Sequence, residues 1–121
     1  MATFSKQILS GSTNGRGIAV AATATLGTTI HATGTSASIY DEIWLYANNI
    51  HSSAVTLTVE FGGTTATSDL IQLSIPATPS GLYVVVAGLI LRGTGSAATT
   101  VTAFASVASK IEIFGFVNRI T

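Results

Sequence analysis

The sequence predicts an all-β fold, an antiparallel β-sandwich or jelly-roll-like arrangement in a single domain spanning residues 1–121. Three observations carry this expectation. Apolar and polar residues alternate at period two through much of the chain. Clusters of Gly, Asn, Pro and Ser interrupt these runs at intervals of about 8–12 residues, the spacing of short strands joined by turns. No segment combines helical periodicity with helix-forming composition. The Ala-rich stretch Ala97–Ala108 carries four Thr and Ser and two Val, which weakens it as a helix.

The first strand is expected at Thr3–Leu9, within an N-terminal strand or arm covering residues 1–14. Phe4, Ile8 and Leu9 lie there at strand-like spacing with few charges. An edge of that kind invites pairing, either in its own sheet or with a neighbouring subunit. Gly11-Ser12-Thr13-Asn14-Gly15-Arg16-Gly17 superficially looks like a phosphate cradle. It lacks the Lys-Ser/Thr ending of a P-loop, and no helix is expected after it. Asn14-Gly15 between two strand-like runs signals a tight turn instead.

Strands are next predicted at Arg16–Ala22, Thr28–Ala32 and Glu42–Asn48. Ala54–Phe61 gives the clearest alternation: Val55, Leu57, Val59 and Phe61 face one way, Thr56, Thr58 and Glu60 the other. That is the pattern of a half-buried antiparallel strand. Leu70–Ile75 repeats it, with Ile71, Leu73 and Ile75 inward. Gly62-Gly63 ends the first of these runs and Pro76 the second, since proline donates no ladder hydrogen bond. Leu82–Val86, Leu89–Arg92, Thr100–Ala105 and Lys110–Ile120 complete the set.

Composition limits the function classes. Charged residues are 8% of the chain, against about 25% in a typical soluble domain. Five Lys and Arg balance five Asp and Glu. This leaves no basic stripe for nucleic acid and no polybasic patch for a membrane. Ser and Thr, about a quarter of the residues, supply most of the polar surface. Such a surface is expected to be partly covered by other protein, because zero net charge removes the self-repulsion that keeps isolated domains apart. Cysteine is absent, so disulfides and thiolate chemistry are excluded. The longest apolar run, Leu82–Leu91, is about half the ~20 residues of a spanning helix. The N-terminus lacks the charged head and apolar stretch of a signal peptide, so synthesis in the cytoplasm is expected.

No catalytic, cofactor or metal site is expected. His31 and His51 are the only imidazoles. Neither sits in a nucleophile-elbow sequence, and two histidines without cysteine fall short of a structural zinc site. They are read as strand or loop histidines making ordinary hydrogen bonds. Asp41-Glu42 is the one adjacent acidic pair; neighbours on a strand point to opposite faces, so the pair is read as the entry to the Ile43 strand. Asp69 is read as stabilising a turn, since one acid is too few for a calcium loop.

The aromatic pattern carries more. Ile43, Leu45 and Ala47 alternate with Trp44 and Tyr46, while Ile111, Ile113 and Val117 alternate with Phe114 and Phe116. If the aliphatic sets face the core, the four aromatics stand on the opposite faces. Aromatics are favoured at interface hot spots. Phe4, Ile8, Trp44, Tyr46, Phe114 and Phe116 are therefore the candidate interface residues. The alternative for the four aromatics of the two strands is that both strand faces are internal, as in a central strand under a loop.

Four stretches resemble small virion proteins of tailed bacteriophages, of the capsid decoration (cement) type. They are Ser5-Lys6-Gln7-Ile8-Leu9-Ser10-Gly11-Ser12-Thr13-Asn14-Gly15-Arg16-Gly17-Ile18, Asp41-Glu42-Ile43-Trp44-Leu45-Tyr46-Ala47-Asn48, Val59-Glu60-Phe61-Gly62-Gly63-Thr64-Thr65 and Ile113-Phe114-Gly115-Phe116-Val117-Asn118-Arg119-Ile120. The resemblance implies a sandwich or jelly roll on the outside of a phage head. It implies partners in the major capsid protein and in copies of itself, as a homotrimer at threefold positions. It transfers no catalytic motif. A tail or head-fibre component is the structural alternative. A carbohydrate-binding adhesin using Trp44 and Tyr46 is the alternative from another class.

Overall fold

The structure, a computed structural model, describes residues 2–121. Among them, nine strands form two antiparallel sheets: β1 (Phe4–Ile8), β2 (Ile18–Ala19), β3 (Thr28–Ala32), β4 (Tyr40–Asn49), β5 (Val55–Phe61), β6 (Leu70–Ile75), β7 (Tyr83–Arg92), β8 (Thr100–Ala105) and β9 (Ile111–Ile120). The first sheet runs β1-β9-β4-β7, with β2 also on β9; the second runs β3-β8-β5-β6. Only the β1–β2 and β5–β6 connections stay within one sheet. Every other connection crosses, which is the winding of a double-sheet jelly roll.

The period-two alternation fixes the core. Ile43, Leu45 and Ala47 of β4, with Ile111, Ile113 and Val117 of β9, line the inner face of the first sheet. They pack against Ile30, Val55, Leu57, Val59, Ile75, Val101, Ala103 and Ala105 of the second. Leu9, Ile18 and Val20 close one side.

Several expected bounds differ. Leu82–Val86 and Leu89–Arg92 are one strand, β7, which skips a residue against β4 between Ile43 and Trp44 and again between Leu45 and Tyr46. Gly88 sits at the first irregularity with φ +77°, a conformation open to glycine. The expected strand Arg16–Ala22 shrinks to Ile18–Ala19, because Arg16 closes the turn on Thr13 and, after a last bond from the Val20 N–H to Ile111 of β9, Ala22 turns to β8 and accepts from the Ala105 N–H at 3.0 Å. Asn14 and Gly15 do make the tight turn, both at positive φ, closed by the Arg16 N–H to the Thr13 carbonyl at 3.0 Å. It is not a hairpin turn, since β1 and β2 both pair with β9 and not with each other.

The N-terminal segment is a strand of its own sheet. Phe4 to Ile8 pair with Ile120 to Phe116, and Leu9 is buried in the core.

Candidate functional site

Alternation on β4 and β9 sends their second set of side chains to the outer face of the first sheet. The ladder places Trp44 opposite Phe116 and Tyr46 opposite Phe114. On β1, Ile8 is opposite Phe116, and Phe4 is opposite Ile120. Residues directly opposite in an antiparallel pair share a face. All six candidate interface residues thus lie on one face of one sheet. The register adds Tyr40 and Ile120, and across β4 it adds Val84 and Ile90 of β7.

The rings are held in place. Trp44 and Phe116 stack with centroids 6.0 Å apart, and the Lys6 ammonium lies 4.8 Å over the Phe116 centroid. A side chain at Gly88 would come within 2.9 Å of the Trp44 ring, and one at Gly17 within 2.7 Å of the Phe114 ring. The two glycines are therefore seats for the aromatics. The Trp44 indole N–H donates to Glu42 Oε1 at 2.8 Å, and Asn118 Nδ2 donates to the same oxygen at 3.0 Å. These two bonds hold the Glu42 carboxyl below its ordinary pKa, since both favour the ionised form.

Around the half-buried rings the surface is apolar. Phe4 is 71% exposed, Ile8 54%, Val84 55% and Ile90 54%. An antiparallel sheet with one solvated face normally carries polar residues there. Here Lys6, Glu42, Asn118 and Arg92 are the polar members of the same rows. Strand β7 is also an edge, and Leu82, Tyr83 and Leu89 are exposed there too, but Tyr83 and Leu89 lie opposite the inward-facing Ala47 and Ile43 and so belong to the other side of the strand from Val84 and Ile90. Exposed apolar residues gathered on one sheet face are among the features that association sites share.

The residues weighed for chemistry are engaged otherwise. His31 is buried on β3, at 1% exposure. Its Nδ1 accepts from the Ser10 backbone N–H at 3.1 Å, so Nε2 carries the hydrogen and donates to Asp41 Oδ2 at 2.8 Å. It makes two hydrogen bonds and joins the two sheets. Asp41 points inward and Glu42 outward, as neighbours on a strand must. Arg119 Nε donates to Asp41 Oδ1 at 2.8 Å and its terminal amine to Oδ2 at 3.0 Å. Burial pushes the Asp41 pKa up; the Arg119 and His31 bonds outweigh it and leave the value lowered. The bond from Asp41 raises the Arg119 pKa in return.

Glu60 does not meet solvent as its outward position on β5 suggests. The segment between β2 and β3 folds across that face. Thr25 Oγ1 and the Gly27 N–H donate to Glu60 at 2.7 and 2.8 Å, and Thr102 Oγ1 donates at 2.6 Å. Asp69 accepts from the Thr65 N–H at 3.0 Å, which is the turn role expected of it. Among the described residues no group of three or more His, Cys, Asp or Glu is placed to hold a metal ion. No helix among them is long and apolar enough to cross a membrane.

Sequence reasoning did not single out Tyr40, Val84, Ile90 or Ile120. The signal was present in β7, where Tyr83–Arg92 is apolar at almost every position rather than at every second one. Comparison with protein-family models, with curated proteins and with solved structures returned no match.

Proposed function

We propose that the chain is a bacteriophage virion structural protein, a capsid decoration protein that docks on the head through the outer face of the first sheet. The observation that carries this reading is the gathering of Phe4, Ile8, Trp44, Tyr46, Phe114 and Phe116 on that one face. Flat, preset aromatics surrounded by aliphatic side chains give contact area at low ordering cost. The engagement of both His31 nitrogens inside the protein favours a binding role over hydrolysis. The phage assignment itself rests on the sequence resemblance.

The mechanism is mass action. A protein that contacts neighbouring major capsid subunits at once binds the assembled shell better than free subunits, and so stabilises the shell. A homotrimer multiplies single contacts of modest strength. The test is cryo-electron microscopy of the parent phage particle. The reading expects this chain in density on the outer head surface, with Trp44 and Phe116 covered by capsid protein or by a sister copy. Density on the tail, or heads with no such chain, would overturn it.

A further inference from the structure

We infer that the split edge of the first sheet, which shares only Phe114 with the proposed docking face, forms a binding site for a neutral pyranose ring. The inference does not depend on the capsid reading. Strand β1 covers Ile120 back to Phe116 of β9, and β2 covers Ile113 and Glu112. Phe114 and Gly115 therefore have no strand beside them on that edge. The chain between β1 and β2 turns inward there: Leu9 enters the core and the Gly11 N–H donates to the Ile30 carbonyl. What remains is an open depression of about 520 Å³ lined by Thr13, Arg16, Gly17, Glu112 and Phe114. That volume falls in the range of small-molecule sites.

The lining has a definite chemistry. Phe114 supplies an apolar ring seated on Gly17. Arg16 and Glu112 carry opposite charges, and among the described residues neither has an ion-pair partner. A guanidinium only donates hydrogen bonds, a carboxylate only accepts them, and the Thr13 hydroxyl does both. The charges cancel, so a simple anion meets Glu112 and a simple cation meets Arg16, each repelled by one of the pair. A neutral ring bearing vicinal hydroxyls satisfies both, since every hydroxyl donates and accepts. The C–H face of such a ring packs on Phe114. The turn carrying Thr13 and Arg16 is preset by the Arg16 to Thr13 bond and by the Gly15 N–H to Ser12 Oγ at 3.2 Å. The backbone of the turn therefore needs little ordering on binding, and the ordering cost falls mainly on the exposed Arg16 side chain.

The experiment is a nitrogen-15 NMR titration of the full chain with methyl glucopyranoside, methyl mannopyranoside, methyl galactopyranoside and N-acetylglucosamine, each to about 50 mM, a range suited to millimolar dissociation constants. Sodium phosphate is titrated in parallel. At least one sugar is expected to shift the amides of residues 13–17 and 112–114 saturably, with phosphate inert. Arg16→Ala and Glu112→Ala each weaken that binding about tenfold or more, the effect of losing a charged hydrogen bond. The two variants are read separately, so misfolding of one leaves the other to decide. No shift with any sugar, shifts centred elsewhere, a response to phosphate alone, or full affinity in a folded variant would overturn the assignment.

Discussion

Trp44 and Phe116 stack across two adjacent strands with their rings 9° from parallel, on the side of the sheet that faces away from the core. Their contribution to folding is correspondingly limited. Trp44→Ala and Phe116→Ala are each expected to lose about 0.5–1.5 kcal/mol from the ring pair together with the area the half-buried rings cover, less than the about 3–5 kcal/mol of truncating a fully buried ring. A separate loss of about 2 kcal/mol or more, near 30-fold in affinity, is expected in the self-association or capsid binding of the folded variants. Urea unfolding and sedimentation of the same variants separate the two effects. Variants that unfold easily yet assemble normally when folded would place the rings in the fold's own packing.

Glu60 is 1% exposed and is held by three hydrogen-bond donors, with no cation beside it among the described residues. Burial pushes its pKa up; the Thr102, Thr25 and Gly27 bonds outweigh burial and leave it below the ordinary 4.5. In the window between those two values the unfolded chain binds a proton that the folded chain does not, so stability rises with pH. The contribution is complete above the unfolded value and is lost as pH falls through the folded one. Glu60→Gln replaces one carboxylate oxygen with N–H₂, which then faces either Thr25 Oγ1 or the Gly27 N–H and Thr102 Oγ1, and it removes the charge the remaining bonds favour; the expected cost is about 1–3 kcal/mol at neutral pH. It should also flatten the fall of Tm on acidification below about pH 4.5, leaving the part due to Asp41 and Glu42. A Tm profile with the wild-type slope would show that Glu60 does not titrate as described.

The sheets were legible because their signal is local. In β4 to β6 and in β9, alternation names the inward residues one by one, and Ile43, Leu45, Leu57, Val59, Ile111 and Ile113 are all buried. The shared face of the aromatics needed one further fact, that β4 and β9 are neighbours in register; alternation says which side each ring takes but not which strands meet. Three features depend on contacts distant in sequence and carry no local mark. Glu60 reads as solvated until the segment near Thr25 and Gly27 is known to cross it. Asp41 reads as a strand entry until Arg119, 78 residues away, reaches it. The depression beside Phe114 exists only because β1 and β2 share one edge.

Asp41 is 1% exposed, while the Arg119 side chain remains 30% exposed. Removing the arginine leaves a buried carboxylate with His31 alone. Arg119→Met is expected to cost about 2–4 kcal/mol, toward the lower side of the range for breaking a buried pair because the guanidinium is partly hydrated. Arg119→Lys should recover only part of this, since an ammonium cannot supply two bonds in one plane to both carboxylate oxygens. Equilibrium denaturation of the two variants measures the difference. Equal stability of the lysine variant and wild type would mean that charge alone, without the fork, holds Asp41.

The N-terminal strand divides into a part that covers and a part that is covered. Phe4, Ser5 and Lys6 are exposed, and the strand's end is tied by paired bonds between Thr3 and Thr121 at 3.0 and 2.9 Å. Leu9 is 1% exposed, and Ser10 reaches β3 through the His31 ring and through its own Oγ, which accepts from the Ala32 N–H at 2.7 Å. Deleting residues 1–5 removes edge pairing and the exposed Phe4, and is expected to cost about 1 kcal/mol of stability, comparable to one or two exposed hydrogen bonds. Deleting residues 1–9 also empties the Leu9 position, adding about 2–5 kcal/mol for the lost core side chain. The shorter deletion also keeps Lys6 over Phe116 and Ile8 beside it, so it should retain most self-association; the longer one strips both from the aromatic face. Thermal unfolding and sedimentation of the two truncations give the comparison. If the longer deletion is no less stable than the shorter, Leu9 is not anchoring β1 to the core.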